Sequence, residues 1–477
     1  MSVAGDFREE TGSPSPIFSE SELADRFAER HKAKLRFVSE WGQWLRYDGK
    51  RWQKENTLLA FDLVRGLCRE VARECNRSAE AKALTSAKTI AAVERIAKAD
   101  RRLAATVDQW DCNLWLLNTP AGVIDLRTGK VRGHDPEDYL TKITAAAPKG
   151  KCPLWKEHLA VVMADDAELI AFLQRALGYS LTGFIQEHAI FFGHGSGANG
   201  KSTTFETVAH VLGDYARTAP IELFQYSPND RHPTELAMLQ GARFLTASET
   251  EEGRGWAESK IKTLTGGERI AARFMRQDYF EYIPQFKPWL TGNHKPSLRS
   301  VDESIRRRFN LIPFAVTIPP DKRDKELVSK LKDEGPGILA WMIEGCLRWQ
   351  KSGLNPPPAV KNATNEYLAA EDALRLWFDE CCVVDVAEPG LFTSELYESW
   401  KAWADKNGEF PRSLKKFSLS LDAKSKELGI QKTDGLRRKA THIEWVEGRN
   451  VPKAVEKHGR GFTGVRLKTD EERFSSM

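Results

Sequence analysis

Apolar positions along the chain change period several times. From Ser19 the pattern is helical: Leu23, Phe27 and Ala28 share one face, behind Ser19-Glu20-Ser21-Glu22, which offers an N-cap. Residues 35–38 and 44–52 read as strands with Asp48-Gly49 as a hairpin turn. A long helical region is predicted from residue 58 to about 105, and residues 116–130 alternate like strands around glycine turns. After a junction at 145–153, helices are predicted from 154 to 181. Strand, glycine-rich loop, helix and further strands then follow as far as Phe314. That order predicts an α/β core with a mainly parallel sheet. Helices from about residue 322 to Trp349 close it, and the Gly353–Pro358 stretch, rich in proline, reads as a linker.

Beyond the linker the pattern predicts a helical connector over residues 362–379. A helix follows with Leu396, Trp400 and Trp403 at helical spacing, then a second helix from Leu414 to Leu428. Strand-like stretches come last, around 442–446 and 461–467. Helix, helix, basic β-hairpin is the layout of a winged helix. The predicted organisation is a lead-in (1–17), an α+β N-terminal domain (18–150), helices with the α/β core (151–352), linker and connector (353–392), and a winged-helix-like domain (393–477).

Length and composition agree with this division. A chain of 477 residues is too long for one ordinary core. Its 41% apolar and 29% charged residues are ordinary for a globular protein. No apolar run reaches the length of a membrane span, and residues 1–16 lack the apolar stretch of a secretory signal. The seven cysteines form no C-x-x-C pair and no zinc spacing, which predicts reduced cytosolic thiols. A net charge of +4 decides nothing by itself, but residues 401–468 hold 17 Lys/Arg against 8 Asp/Glu. That excess is an electrostatic footprint for nucleic acid, with Lys415 and Lys416 at the start of one helix and Arg437, Arg438 and Lys439 ahead of a strand.

The strongest chemical signal follows the apolar run Ala189-Ile190-Phe191-Phe192. Gly195-Ser196-Gly197-Ala198-Asn199-Gly200-Lys201-Ser202 matches the phosphate-binding loop in the context that gives it meaning, strand before and helix after. Glycines let backbone N–H groups turn toward phosphates, and the following helix adds the positive end of its dipole. Lys201 supplies charge for the β/γ oxygens, and the Ser202 hydroxyl suits Mg²⁺. The ligand class is therefore ATP with Mg²⁺. Hydrolysis also needs an acid at a neighbouring strand end: Glu249 is the first candidate and Glu251 the second, after Arg243-Phe-Leu-Thr-Ala-Ser. Asn293 ends a further strand and suits a γ-phosphate contact, although an Asn after Gly is commonly a turn residue. Arg306-Arg307-Arg308 reads either as a solvated charge run or as the source of an arginine finger that serves a neighbouring subunit.

Several motifs occur in order: Gly-x-Gly-Ala-Asn-Gly-Lys-Ser, Ala-Ser-Glu-Thr-Glu-Glu, Leu264-Thr-Gly-Gly-Glu-Arg-Ile-Ala-Ala-Arg273, Pro284-Gln-Phe-Lys-Pro-Trp-Leu-Thr-Gly-Asn-His-Lys-Pro and Arg-Arg-x-x-Leu-Ile-Pro-Phe. Together they resemble the phage and plasmid primase–helicase family, superfamily 3 helicases related to the poxvirus replication helicase. The resemblance extends back to Trp44-Leu-x-Tyr-Asp-Gly-x-x-Trp and Asn118-x-x-x-Gly-Val-Ile-Asp-Leu-x-Thr-Gly, and covers roughly residues 18–470. It implies a P-loop AAA+-like core and a homo-oligomeric, hexameric ring with ATP sites between subunits. It also implies 3′-to-5′ translocation on single-stranded DNA in a bacterial host's cytoplasm. On the motif match, Lys201 and Ser202 hold phosphate and Mg²⁺, Glu249 is the second-motif acid, Asn293 the γ-phosphate sensor, and Arg307 or Arg308 the trans finger. Arg273 to Tyr282, with Arg273 and Arg276, forms a pore hairpin gripping DNA. Two departures stand out. Arg306 occupies a position often aromatic in the family, and the 150 residues ahead of the core show no zinc ligands or acid cluster for primer synthesis.

The leading function is thus a replicative DNA helicase of a phage, prophage or plasmid. The alternative is an ATP-switched origin-binding initiator without processive unwinding. A small-molecule NTP kinase leaves the basic C-terminal segment without a purpose.

Overall fold

The structure is a computed structural model and describes residues 18–226, 234–248, 255–275, 278–293, 295–298, 302–385, 389–409, 411, 413–446, 449–469 and 472, with the backbone alone for 439–446 and 449–455. The lead-in 1–17 lies outside these residues. Among them no helix is long and apolar enough to cross a membrane.

The N-terminal pattern is realised closely at its start. The helix Glu20–His31 is capped by the Ser19 hydroxyl, which accepts from Glu22 N at 3.2 Å, and Leu23, Phe27 and Ala28 are fully buried. Gln43–Tyr47 pairs antiparallel with Trp52–Lys54 across a turn in which Asp48 Oδ1 accepts from Lys50 N and Arg51 N, both at 2.8 Å. The predicted long helix is instead three helices, Leu59–Ala72, Ser78–Leu84 and Ala87–Ala97. Ser86 interrupts the run by capping the third, accepting from Thr89 N, a local bond that competes with helix continuation. The small sheet of Leu116–Thr119, Gly122–Asp125 and Lys130–Arg132 sends Leu117, Ile124 and Leu126 into the same core as the helices that follow.

The central sheet has five parallel strands: β1 (Ile190–His194), β2 (Ala216–Thr218), β3 (Phe244–Ser248), β4 (Lys287–Gly292) and β5 (Phe309–Pro313), in the order β5-β1-β4-β3-β2. The parallel α/β core predicted from the alternating pattern is what forms. Both faces are covered, so the strands read as nearly continuous apolar runs. Phe191, Phe244 and Trp289 face one core, while Ile190, Phe192, Leu245 and Leu290 face the other. Trp289 of β4 is the hub of the first. Its ring stacks on Phe191 at 4.3 Å and meets Phe205 at 5.3 Å and Phe244 at 5.6 Å, while its Nε1 donates to Ser180 Oγ at 3.0 Å.

The connector predicted over 362–379 is two helices, Pro358–Ala370 and Ala373–Cys381. The first is part of the core rather than a tether. Val360, Tyr367 and Leu368 are buried, Thr364 Oγ1 accepts from Leu311 N of β5 at 2.9 Å, and Tyr367 OH accepts from Trp256 Nε1 at 2.8 Å. Beyond it, helices Thr393–Lys406 and Leu414–Leu428 pack on the second through Trp377, Trp400 and Phe417. The predicted stretches 442–446 and 461–463 fall on the two arms of one hairpin, although they do not lie opposite each other. Gln431–Val446 pairs with Arg449–Thr463 in one long antiparallel ribbon, bulged between Thr433 and Leu436, and Val465–Leu467 pairs with Cys382–Val384. The ribbon's polar, glycine-bearing arms hide it from an apolar alternation signal.

Candidate nucleotide site and nucleic-acid surfaces

The loop at residues 195–200 leaves the C-terminal end of β1 and enters the helix Lys201–Leu212. Ligand sites in open parallel sheets lie at this edge. Two glycines are required by shape. A Cβ on Gly195 would meet Phe314 O at 2.2 Å and Asn199 Nδ2 at 2.4 Å. Gly200 has φ +82° and would press a Cβ on Val162 Cγ1 at 2.4 Å. The segment after β5 pins the loop: Ile318 N donates to Ala198 O at 2.8 Å and Asn199 Nδ2 to Phe314 O at 3.2 Å, while Ser196 Oγ lies 3.4 Å from Thr317 Oγ1. Asn199 is buried, so within the loop it is a structural brace.

Lys201 is only 6% exposed, and burial pulls its pKa below the usual lysine range. Its ammonium donates to Gly195 O and, at 3.2 Å, to Asn293 Oδ1. Asn293 directly follows β4, the neighbour of β1, and the register sets Gly292 opposite His194. Two motifs 92 residues apart thus meet at one point. Ser202 is exposed in the first helical turn, where the helix dipole favours anions. On β3, Ser248 Oγ accepts from Thr291 Oγ1 of β4 at 3.2 Å, which brings the end of β3 to the same edge. Glu249 and Glu251 follow it in sequence and lie outside the described residues.

Sequence reasoning missed the support behind the loop. The helix Pro153–Val162 supplies Val162 and the buried His158. Thr204 Oγ1 donates to Gly200 O at 2.9 Å, so its contact with His158 Nε2 at 2.8 Å needs the proton on Nε2. Desolvation lowers the His158 pKa to about 4, in keeping with a neutral ring. Because the peptide is planar, holding the Gly200 carbonyl turns the Lys201 N–H to the opposite side, where Asn199 Oδ1 lies 3.5 Å away. No local motif signals His158.

The three arginines before β5 separate clearly. Arg308 is 6% exposed, with Nε donating to Thr265 Oγ1 at 3.1 Å and Nη1 to Ser304 O at 2.6 Å. Its guanidinium is thus held by bonds within its own chain. Arg306 faces Asp372 Oδ2 at 3.8 Å. Arg307 is the exposed one. It precedes the N-terminal end of β5, whereas the loop is level with the C-terminal end through the Pro313–His194 pair. The length of β5, four residue steps or about 13 Å, lies between the two ends.

The expected pore segment is a hairpin, Ile270–Ala272 paired with Phe280–Tyr282. Near its tip Met275 is 77% exposed, and the Arg273 guanidinium lies 4.8 Å above the Tyr279 ring. Arg276 lies outside the described residues. In the C-terminal part Lys415, Lys416 and Arg437 are exposed, and Arg438 pairs with Glu395 at 2.9 Å. Lys439 contributes its backbone alone to the description. Among the described residues no group of three His, Cys, Asp or Glu could hold a metal, and Cys68, Cys75, Cys112, Cys152 and Cys346 are free thiols.

Fold and site together define an α/β protein with a phosphate-loop geometry at the edge of a parallel sheet. Comparison with known proteins is consistent with this. Residues 24–164 match the D5 N terminal like family, and residues 193–308 match a family of unknown function, DUF5906. Proteins each named "Putative helicase" from Acanthamoeba polyphaga mimivirus, Frog virus 3 and Invertebrate iridescent virus 6 are 26%, 24% and 25% identical, over 62%, 64% and 57% of this chain. The matched part is 34%, 32% and 32% of those proteins, so the chain spans about a third of their length. Among solved structures, the A form apo structure of the NrS-1 C terminal region has 10% identity and a TM-score of 0.49, covering 92% of this chain and 99% of that one. These matches make the chain similar to phage and viral primase–helicase-like proteins.

Proposed function

We propose that this chain is an ATP-dependent DNA helicase of the superfamily 3 type, working 3′ to 5′ in replication of a virus or other mobile element. The observation that carries the proposal is the meeting of Lys201 with Asn293 at the mouth of a braced phosphate loop. The donor set suits a triphosphate: a cation, a helix N-terminus, a hydroxyl at Ser202 and an amide at the tip of the adjacent strand. ATP would rest on residues 195–202, with Mg²⁺ held by Ser202 and Glu249 and with Glu251 as the second acid. Bound Mg²⁺ would neutralise charge developing on the phosphates. Lys201 and Asn293 would position the terminal phosphate. The distance of Arg307 from its own loop supports a ring, hexameric by family resemblance, in which each site is completed by the next subunit. Arg273, beside the hairpin, and Arg276, which follows in sequence, suit a moving grip on single-stranded DNA. Lys415, Lys416, Arg437, Arg438 and Lys439 make a winged-helix-like second contact, in which Arg438 is partly neutralised by Glu395. The named relatives are viral, and the placement in a bacterial cytoplasm rests on the family resemblance alone.

The test is a forked-duplex assay with the Lys201→Ala chain, which should lose DNA-stimulated ATPase and strand displacement while keeping its fold. Undiminished hydrolysis would remove the site assignment. DNA binding with ATP hydrolysis but no displacement by the unaltered chain would favour the origin-binding initiator, to which the long basic ribbon also lends itself.

A further inference from the structure

We propose that the N-terminal domain carries a phosphate-backbone site for single-stranded DNA, in the hollow between the helices Leu59–Ala72 and Ser78–Leu84. The inference rests on the DNA reading above and gives this domain a part in it. Residues 58–102 hold 10 Lys/Arg against 6 Asp/Glu, an excess as large as the +4 net charge of the whole chain. Most neighbouring cations are answered locally: Arg65 by Asp62, Arg30 by Glu70, Arg77 by Glu80, Lys98 by Glu94 and Arg102 by Asp100. Arg69, Arg73 and Lys82 make no such pair among the described residues. These three converge on one hollow of about 450 Å³, which Ser78 and Thr85 also line and no carboxylate lines.

Three cations within one such hollow lie inside a Debye length of roughly 8–10 Å and repel one another, so the arrangement favours an anion. The hollow is broad and open rather than enclosed. A small anion needs an enclosing shell of donors, whereas a polyanion gains from several solvent-exposed cations in a row by releasing its condensed counterions. Single-stranded DNA is the polyanion a helicase of the proposed type threads. The hydroxyl of Ser78 suits a backbone contact that carries no sequence information, while that of Thr85 is bonded to the Ala81 carbonyl.

The experiment measures binding of a labelled oligothymidylate to the full chain and to the Arg69→Gln/Arg73→Gln/Lys82→Gln variant across a salt series. All three side chains are exposed, so the fold should be kept, which thermal melting checks. Losing three phosphate contacts should flatten the slope of log affinity against log salt by about 2 and weaken binding about a hundredfold at 0.1 M salt. An unchanged slope and affinity would overturn the site while leaving the DNA reading standing. No salt-dependent binding by the unaltered chain would overturn both. Competition by inorganic phosphate at the same phosphate concentration as the oligomer would overturn the polymer assignment in favour of a small anion.

Discussion

Arg307→Ala provides the sharpest test of a shared active site. The side chain is exposed, so its removal leaves no buried group unpaired. Arg307 lies in the turn before β5, and Pro313 at the far end of β5, about 13 Å of strand away from Phe309, is level with His194 at the start of the loop. On the proposed reading Arg307 serves the phosphate of a neighbouring subunit, so its catalytic contribution crosses an interface. A finger of this type is worth about 10³–10⁵ in turnover, or about 4–7 kcal/mol of barrier. The assay mixes Arg307→Ala chains, which keep Lys201, with Lys201→Ala chains, which keep Arg307. Each alone should be nearly inactive. In randomly mixed rings about a quarter of the interfaces join an intact loop to an intact arginine, so hydrolysis should recover to about that fraction. If Arg307→Ala keeps full turnover, or if mixed rings form and stay dead, the trans-finger reasoning fails. Arg308→Ala is a poor substitute for this test, because it breaks bonds to Thr265 and Ser304 and should lower the melting temperature.

Further predictions concern the groups behind the loop. His158→Leu removes the donor that holds Thr204 and hence the Gly200 carbonyl; KM for ATP should rise a few-fold to about tenfold, the worth of one buried hydrogen bond, with kcat little changed, and His158→Gln should restore it. His158 also predicts an acid sensitivity. The unfolded imidazole takes up its proton below pH 6.5 while the folded one stays neutral down to about 4, so stability should fall as pH drops through that window, by about 3 kcal/mol in all. Urea melts of the wild type and of His158→Leu should show that slope only in the former. Trp289→Ala should cost about 3–5 kcal/mol in the same melts, because it empties the contact between β1, β3, β4 and the helix after the loop.

What the sequence determined by itself is what short-range physics controls. A short apolar run placed β1, the glycine motif placed the loop and a helical pattern placed the Leu414–Leu428 helix, because each depends on neighbours within a few residues. The parallel sheet followed from the alternation of strand and helix. Tertiary structure alone decided which distant groups meet. Lys201 reaches Asn293 across 92 residues, Asn199 reaches Phe314 across 115, and His158 braces Thr204 across 46. It also gave the adjacent arginines, alike in local pattern, different surroundings, since Arg308 is buried against Thr265 and Arg307 is exposed. The proline-rich stretch read as a linker is followed by a helix that belongs to the core, because Tyr367 and Thr364 find partners on Trp256 and β5. The physical reason is the same in each case. Local propensity sets an element's kind, whereas desolvation and hydrogen-bond satisfaction among elements far apart in the chain set each side chain's employment.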